Sequence, residues 1–379
     1  MSIKRFVSRI GKFGSKKIAS FKIKTIERAQ RKSVAKKLSK LNQPELSEQE
    51  KKEITDFWGK YGIDIKDFNS FRWYYGISGI KDPRFIPQDI QYNILLPYYN
   101  TQKYNGVYGN KTLFDRFMPA DIFPETIAKR INGDFYDSRE RFIDKETLVS
   151  LLSGYEEIII KNAVETGQGK NVDRIALQSE RDILLALEKW ESKNDYVIQK
   201  VVRQHPFFAQ FNSSSVNIIR FNSFFHEGKV MIHTPVLRFG LPGHATDVAY
   251  VNGEETVQLV GITDTGRIRD QIVYYDGRKK KLTDIVKDPI MQVPSWDAIL
   301  DIIRTQAAKM PYYKLLGWDV TVNEDGKPVV IEYNIKFPSP YSSQVTDGPM
   351  WANDTEVLLS FLTDAETQKK AIPSIYRKR

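Results

Sequence analysis

The spacing of hydrophobic and polar residues predicts two β-hairpins in the second half of the chain. In each pair, two runs rich in β-branched and aromatic residues are separated by a short polar turn that ends in glycine, Gly228 or Gly326. Strands joined by such short turns pair antiparallel rather than through βαβ crossovers. The predicted strand pairs are 216–225 with 229–239, and 316–323 with 328–334.

Helical spacing and helix caps predict the remaining elements. Ser47 and Glu50 form a capping box for a helix through about residue 61, and Ser179 caps a helix with an acidic first turn. Residues 69–105 are predicted to form short helices and loops. The other predicted helices are 111–117, 144–153, 294–310 and a last one capped by Asn353 and ending near 364; the other predicted strands are 157–162, 195–202 and 268–275. This pattern is typical of an α+β fold.

The length and composition limit the classes of protein that the chain can belong to. A single hydrophobic core rarely exceeds about 250–300 residues, so 379 residues are expected to form several sub-domains. The absence of cysteine excludes a disulfide scaffold, a thiolate zinc site and a cysteine nucleophile. No apolar run reaches the length of a membrane span, and no apolar region typical of a secretory signal opens the chain.

The positive charge is concentrated at the N-terminus. Residues 1–40 hold 14 Lys and Arg against one acidic residue, while the remainder of the chain has a net charge of −3. A nucleic-acid-binding function of the folded body is therefore not expected. Apolar residues in this arm recur at helical spacing: Ile3, Phe6, Val7, Ile10 and Phe13. Such a basic amphipathic helix suits an anionic membrane surface, and packing of the apolar stripe on protein is the alternative.

Asp319, Glu332 and Asn334 are the first candidates for chemistry. Glu332 and Asn334 lie two residues apart on a strand and so face the same way, and Asp319 on the paired strand can reach that face. Two carboxylates and an amide oxygen are hard ligands suited to Mg²⁺. The alternative is a strand end that meets solvent.

Lys161 is the second candidate, because it ends an apolar strand and precedes a loop that contains Gly167 and Gly169. An ammonium group and glycine-rich backbone can bind phosphate. The loop is not a Walker A motif, since Val164 occupies the position of its first glycine and Asn171 replaces Ser or Thr. The alternative is a solvated lysine.

Arg220 and Arg238 are the third candidates, because both lie among the apolar residues of the first predicted hairpin. A buried guanidinium needs a partner, and its geometry fits a carboxylate or a phosphate through two hydrogen bonds. A structural salt bridge with Asp or Glu and a role in substrate binding both remain open.

Together these segments resemble the ATP-grasp superfamily, and more closely the sugar-transfer-associated ATP-grasp proteins of bacterial surface-polysaccharide gene clusters. The similarity covers about residues 108–362. It rests on five stretches in order: Ser215-Val-Asn-Ile-Ile-Arg220, Leu237-Arg-Phe-Gly240, Gly261-Ile-Thr-Asp-Thr-Gly266, Val293-Pro-Ser-Trp296, and Leu316-Gly-Trp-Asp319 with Glu332-Tyr-Asn334.

The resemblance implies an ATP-grasp fold, in which two α+β lobes hold ATP and Mg²⁺ between them, preceded by a helical N-terminal extension. The expected segments are a basic helical arm, a leading helical sub-domain, a first lobe and a second lobe that carries the metal site: 1–45, 46–107, 108–200 and 201–379.

The resemblance also implies a role for each candidate residue. The metal ligands are Asp319, Glu332 and Asn334, and the arginines near the transferred phosphate and the acyl substrate are Arg220 and Arg238. The residues that hold the nucleotide are Lys111 and Lys161 on phosphate, Gly167, Gly169 and Lys170 in a covering loop, and Gln199, Lys200 and Val202 in the hinge at adenine. The chain departs from the family at Asn110, which replaces Asp, and in a hinge without its usual acidic residue.

The activity implied is an ADP-forming carboxylate–amine ligase that works through an acyl phosphate on a surface polysaccharide or its precursor. Its partners would be a small-molecule or glycan acceptor and a carboxylate or amino-acid substrate, in the cytoplasm and, through residues 1–40, at the inner membrane face. The alternatives are an ATP-grasp kinase that phosphorylates a sugar or other hydroxyl, and a non-enzymatic body that acts through its arm.

Overall fold

The computed structural model describes residues 23–164, 172–241, 243, 249–251, 254–336 and 338–377. Many of the helices in these ranges are single turns, and a π-helical stretch, Gln91–Leu95, joins two of them. The α-helices in chain order are α1 (23–38), α2 (Glu48–Gly59), α3 (Asn69–Ser78), α4 (Gln88–Ile90), α5 (Leu96–Tyr99), α6 (Asn105–Tyr108), α7 (Phe114–Phe117), α8 (Lys145–Leu152), α9 (Glu180–Lys189), α10 (Pro206–Ala209), α11 (Trp296–Ala308), α12 (Tyr341–Asp347), α13 (Thr355–Leu359) and α14 (Ala365–Ala371).

Within the described ranges, every pair of adjacent strands is antiparallel, as the sequence predicted for this α+β chain. The strands are β1 (Thr126–Ile131), β2 (Asp134–Asp137), β3 (Phe142–Ile143), β4 (Glu157–Asn162), β5 (Val172–Ala176), β6 (Tyr196–Lys200), β7 (Ile218–His226), β8 (Lys229–Phe239), β9 (Ala249–Val251), β10 (Glu254–Thr256), β11 (Gln258–Ile262), β12 (Ile268–Val273), β13 (Lys279–Lys280), β14 (Leu315–Val322) and β15 (Pro328–Asn334).

The described chain forms two compact units. The helical unit contains the described residues up to Tyr99, together with Tyr275–Arg278 and the described residues from Ser339 onward. The sheet unit contains Asn100–Tyr274 and Lys279–Pro338, and all the strands belong to it.

The first sheet of the sheet unit has the order β3-β2-β1-β6-β4-β5. Alternate residues of its central strands, such as Ile158, Ile160 and Ile198, are buried against α8 and α9. The buried face of α9 begins after its Ser179 cap, whose hydroxyl accepts from the Asp182 amide at 3.4 Å. The predicted cap and helix are therefore confirmed.

The second sheet has the order β13-β12-β11-β8-β7-β14-β15 and its own core. Helix α11 packs on this sheet with Ile299 and Ile303, which lie four residues apart and so share one face. Both predicted hairpins are confirmed: β7 pairs with β8, and β14 pairs with β15.

Several local features differ from the sequence prediction. The strands that were not predicted are β1, β2, β3, β5, β9, β10, β11 and β13. For β1 and β2 a signal was present, because Asn132 and Gly133 join them with φ of 52° and 93°, the left-handed pair of a tight hairpin turn. The last predicted helix was assigned the wrong cap. Asn353 accepts a hydrogen bond from Arg84 Nη1 at 2.8 Å instead, and α13 begins after Asp354.

The N-terminal arm is described only from residue 23. The apolar stripe predicted at residues 3–13 lies outside the described residues. Helix α1 packs on the helical unit with Val34 and Leu38, which are both buried, and the Ser47–Glu50 capping box of α2 is present as predicted. None of the helices in the described ranges combines the length and hydropathy of a membrane span.

Candidate active site

Asp319 and Glu332 face each other across β14 and β15. They are directly paired in the ladder, and the next pair along is Val320 with Val330, so Ile331 is an extra residue, a β-bulge. Residues opposite each other in an antiparallel pair share a face. The two carboxylates therefore lie on one face of the second sheet, as the sequence predicted.

The bulge at Ile331 decides which residues of β15 face the core. Val330 and Tyr333 belong to the hydrophobic core, where the Tyr333 ring lies 6.0 Å from Trp318. Val329 and Ile331 line a cavity on the opposite face. If Ile331 were a regular paired residue, strict alternation would place Glu332 with Val330 in the core. The bulge thus brings an apolar wall and a carboxylate to the same side.

Lys111 is placed beside Glu332 by the end of the first sheet. Its backbone amide donates to Ala163 O at 2.7 Å, and the neighbouring Asn110 forms a β-bridge with Val164. The Lys111 ammonium lies 3.2 Å from Glu332 Oε2. Lys111 also lines the cavity, which puts Glu332 at the edge of that cavity.

Lys161 lies on β4 on the face opposite the core residues Ile158 and Ile160. Desolvation by the surrounding protein lowers the pKa of Lys161 to about 8. The charge of Lys111 also lowers this pKa, while the charge of Glu332 acts to raise it. Burial acts to raise the pKa of Glu332, but Lys111 and Lys161 outweigh it and hold that pKa below its ordinary value. Glu332 is thereby kept ionised at neutral pH.

Arg220 and Arg238 lie on the same face of the sheet as Asp319. Arg220 is the ladder partner of Asp319, and its Nη2 donates to Asp319 Oδ2 at 2.8 Å while Nε donates to Oδ1. Arg238 lies opposite Ile218 on the next strand, is buried, and acts electrostatically on Asp319. Burial raises the pKa of Asp319, and Arg220 opposes that shift. The structure thus gives Arg220 the carboxylate partner left open by the sequence.

These side chains form one strand-end cluster with an excess of positive charge. The cluster consists of Lys111, Lys161, Arg220, Arg238, Asp319 and Glu332. Four cationic groups thus surround two carboxylates. Because buried charges are costly unless they are compensated, this excess favours an anionic ligand.

A cavity of about 820 Å³ adjoins the strand-end cluster. Its apolar lining includes Phe123, Val202 and Ile331, and its volume is in the usual range for a ligand site. The predicted hinge residues Gln199 and Lys200 also line it. The structure therefore brings all the predicted hinge residues and Lys111 to one cavity. Gly167, Gly169 and Lys170 lie outside the described residues.

The residues of the site fit Mg²⁺ and a nucleotide. The Glu332 side chain is 30% exposed and lies at the cavity edge. Each carboxylate oxygen has more than one lone pair, so Asp319 can serve Arg220 and a cation together. Asn334 Nδ2 lies 3.5 Å from Asp319 Oδ2, and its amide oxygen can act as a third hard ligand. No cluster of three or more His, Cys, Asp or Glu suited to a metal occurs among the described residues.

Sequence reasoning missed two features around this cavity. Glu125 and Lys200 face each other at 3.7 Å at the cavity edge, which supplies an acidic residue where the hinge lacks one. Lys129 is only 1% exposed and donates to Asp115 at 2.6 Å and to Glu140 at 3.2 Å, and Arg116 also pairs with Glu140. We call these four residues the Lys129 cluster. A lysine within the apolar strand 126–131 was the available signal for it.

Comparison with known protein families identifies the family of this chain. The family model for sugar-transfer associated ATP-grasp proteins matches residues 100–356. No curated protein matches the chain.

Solved structures of several ATP-grasp enzymes are similar to the chain at low identity. D-alanyl-alanine synthetase A from Vibrio cholerae O1 biovar eltor is 12% identical over 68% of this chain and 65% of its own, with a TM-score of 0.40. The ATP-grasp ligase PsnB with a minimal precursor is 10% identical over 69% of this chain and 63% of its own, with a TM-score of 0.41. The D-alanine-D-alanine ligase from Coxiella burnetii is 13% identical over 70% and 60%, with a TM-score of 0.37. The chain thus spans less than two thirds of the length of these structures.

Proposed function

Since the chain belongs to the sugar-transfer associated ATP-grasp family, we propose that it is an ATP- and Mg²⁺-dependent carboxylate–amine ligase that acts through an acyl phosphate. The observation that carries this proposal is the strand-end cluster beside the cavity. Its four cations and two carboxylates suit a polyphosphate with a bound divalent cation, and the cavity beside it suits a base.

In this proposal Lys111 and Lys161 hold the phosphates, and Gln199, Lys200 and Val202 line the place of adenine. An ammonium group acts on phosphate as a point charge, so it tolerates movement of the group that is transferred. Both lysines already lie close to Glu332. In this proposal, Lys111 and Lys161 therefore interact both with the Glu332 carboxylate and with the phosphates of ATP.

Asp319, Glu332 and Asn334 are proposed to hold Mg²⁺, which when bound neutralises phosphate charge. Arg220 keeps the Asp319 carboxylate oriented through its two hydrogen bonds. Arg238, on the same face, is proposed to bind the acyl substrate and to stabilise charge that develops on it. Preorganised donors of this kind are the main source of catalysis in phosphoryl and acyl transfer.

The proposed reaction has two steps. A carboxylate oxygen of the substrate forms a bond to the γ-phosphorus of ATP while the bond from that phosphorus to the ADP oxygen breaks, which leaves an acyl phosphate and ADP. An amine nitrogen then bonds to the acyl carbon, inorganic phosphate leaves, and the nitrogen loses a proton. The protein contributes positioning and charge, and both act through the cluster.

We further propose that the acceptor is a surface polysaccharide or its precursor and that the protein acts in the cytoplasm at the inner membrane face. The family description, which associates these proteins with sugar transfer, and the basic residues 1–40 support this. Deletion of residues 1–22 leaves α1 in place, and we expect it to reduce binding to vesicles that contain phosphatidylglycerol. Unchanged binding would contradict the membrane role.

The nucleotide site is tested first by thermal stability with and without MgATP, for the wild type and Glu332→Gln. A ligand that binds only the native state must raise the melting temperature. We expect a Mg²⁺-dependent rise in the wild type that is reduced in the variant. No rise at millimolar MgATP would refute the nucleotide site.

The reaction class is tested by product analysis with a panel of acids and amines. Release of ADP and free phosphate that depends on both an acid and an amine supports the ligase. A phosphorylated product with no free phosphate would instead indicate the kinase. If the protein turns over no acid and amine of the panel, a binding role would be favoured.

A further inference from the structure

A cage of three aromatic rings encloses a lysine in the helical unit. Lys37 Nζ lies 4.6 Å from the ring centre of Trp73, 4.7 Å from that of Tyr275 and 4.1 Å from that of Tyr341. All three distances are within the range of cation–π attraction, about 6 Å. One ammonium group is thus held by three aromatic side chains at once.

The walls of the cage are held in place by contacts among themselves and with their neighbours. Trp73 is 0% exposed, and its indole N–H donates to Tyr275 O at 3.3 Å. The rings of Trp73 and Tyr341 meet edge to face, with centres 4.9 Å apart and planes at 68°. The Tyr275 hydroxyl lies 2.7 Å from Ser342 Oγ. The cage is therefore preorganised rather than formed by Lys37 alone.

Helix α1 delivers Lys37 to this cage. Val34 and Leu38 lie on the buried face of the helix, and Lys37, one residue before Leu38 and three after Val34, lies beside them. Leu41, just past the helix, packs directly against Gly277, where any larger side chain would collide with it. The cage walls come from α3, from the segment after β12 and from α12. Three separate parts of the chain meet around one side chain of the arm.

Three π-faces around one cation are the arrangement by which proteins recognise alkylammonium groups, quaternary ones in particular. We propose that the cage of Trp73, Tyr275 and Tyr341 is a binding site for a trimethylammonium group, and that α1 closes it by inserting Lys37 as an internal ligand. Trp73 lies outside the residues matched by the family model, while Tyr275 and Tyr341 lie within them, and the proposed ligase reaction uses none of the three.

The proposal makes α1 and an external ligand competitors. A tethered ligand has an effective concentration in the millimolar range or above, and the burial of Val34 and Leu38 adds to the hold of α1. An external alkylammonium ion should therefore bind the wild type weakly. Removing the Lys37 ammonium should make the cage available.

The test is the change in melting temperature of the full chain with tetramethylammonium chloride, with sodium chloride at equal ionic strength as the reference. We expect Lys37→Ala to show a saturable rise. The wild type and Lys36→Ala, which removes the neighbouring exposed lysine instead, should need at least about tenfold more ligand for the same rise. Lys37→Met, which keeps the apolar stem, serves if Lys37→Ala fails to fold.

A second substitution, Tyr275→Leu, in the Lys37→Ala background locates the binding. Loss of the rise in this double variant supports the cage as the site. An equal rise in the wild type, Lys36→Ala, Lys37→Ala and the double variant would overturn the proposal. No rise in either Lys37→Ala or Lys37→Met would also overturn it. In the wild type, saturating ligand should also speed hydrogen exchange in residues 23–38, and unchanged exchange would overturn the competition.

The source of the trimethylammonium group is resolved with two further probes. If Lys37→Ala binds phosphatidylcholine vesicles, and not phosphatidylglycerol vesicles alone, the cage accepts a lipid headgroup. If it binds choline but no vesicle, the ligand is a soluble molecule. Binding of neither would contradict the assignment to this chemical class.

Discussion

The sheet unit contains two ion clusters, each with buried members, that differ in their charge balance. The Lys129 cluster has two cations, Lys129 and Arg116, against two carboxylates, Asp115 and Glu140. The strand-end cluster has four cations against two carboxylates. Cations and carboxylates are equal in number in the first cluster, while the second has two more cations than carboxylates and so suits an anionic ligand. We propose that this difference in charge balance separates a structural cluster from a binding site in the same unit.

The largest effect is expected for Lys129→Met, which would break the balance of the Lys129 cluster. Removing one partner of a buried ion pair leaves an uncompensated charge and costs about 3–5 kcal/mol. We expect a loss of this size in the free energy of unfolding, measured by urea denaturation, with ATP binding retained while the protein is folded.

The matched control for that experiment is Lys189→Met. Lys189 pairs with Asp173 at 2.8 Å in the same lobe, but its side chain is 65% exposed, and exposed pairs contribute only about 0–1 kcal/mol. Equal losses in the two variants would show that burial does not distinguish these pairs.

The next effect in size is expected for Glu332→Gln. This substitution removes one of the two carboxylates from a cluster that already has an excess of cations, so the free energy of unfolding should also fall. Turnover should fall by about 10²–10³-fold, by analogy with the loss of a group that stabilises the transition state. Glu227→Gln, in the exposed turn between β7 and β8, is the control in the same sheet. A stability loss without a loss of turnover would make Glu332 structural.

A smaller effect is expected from the titration of Lys161. With its pKa at about 8, Lys161 loses its charge as the pH rises through that value. If it holds phosphate, MgATP affinity should weaken above pH 8 by up to about tenfold per pH unit. Lys161→Arg stays charged and should remove this dependence, as measured by calorimetry between pH 7 and 9. An identical profile in both proteins would exclude Lys161 from phosphate binding.

The smallest effect is expected from Glu140. Burial acts to raise the pKa of Glu140, but Arg116 and Lys129 outweigh it and hold that pKa below its ordinary value of 4.5. The stabilising contribution is therefore present above pH 4.5 and is lost as the pH falls below it. The difference in unfolding free energy between the wild type and Glu140→Gln should shrink over that range. A constant difference would show that the charge of Glu140 does not stabilise the fold.

Several elements of both sheets could be predicted from sequence because their signals are local. Apolar runs and a glycine turn identify β14 and β15, and the Ser179 cap identifies the start of α9. Strand β4 has the predicted bounds, Glu157–Asn162. In each case the residues that determine the element lie within it or next to it.

The parts that could not be predicted depend on distant residues. The Ile331 bulge is a property of two paired strands, and neither strand alone reveals it. The local sequence indicates Asn353 as a helix cap, but its side-chain oxygen accepts a hydrogen bond from Arg84, which is distant in sequence. The pairing of Arg220 with Asp319 rather than another carboxylate follows from the order of β7 and β14 in the sheet. Sequence could propose these residues as a set but could not choose their partners.

The bulge at Ile331 changes which residues of β15, odd-numbered or even-numbered, face the cavity side of the sheet. Before it, odd-numbered residues such as Val329 lie on the cavity side, and after it the even-numbered Glu332 and Asn334 lie on that side. Deleting Ile331 would remove the bulge and leave a regular ladder, with Val330 still opposite Val320 and Glu332 still opposite Asp319, so no side chain would change face. Loss of Tyr333 would instead turn Asn334 toward the core, so the site should tolerate the loss of Ile331 far better than the loss of Tyr333.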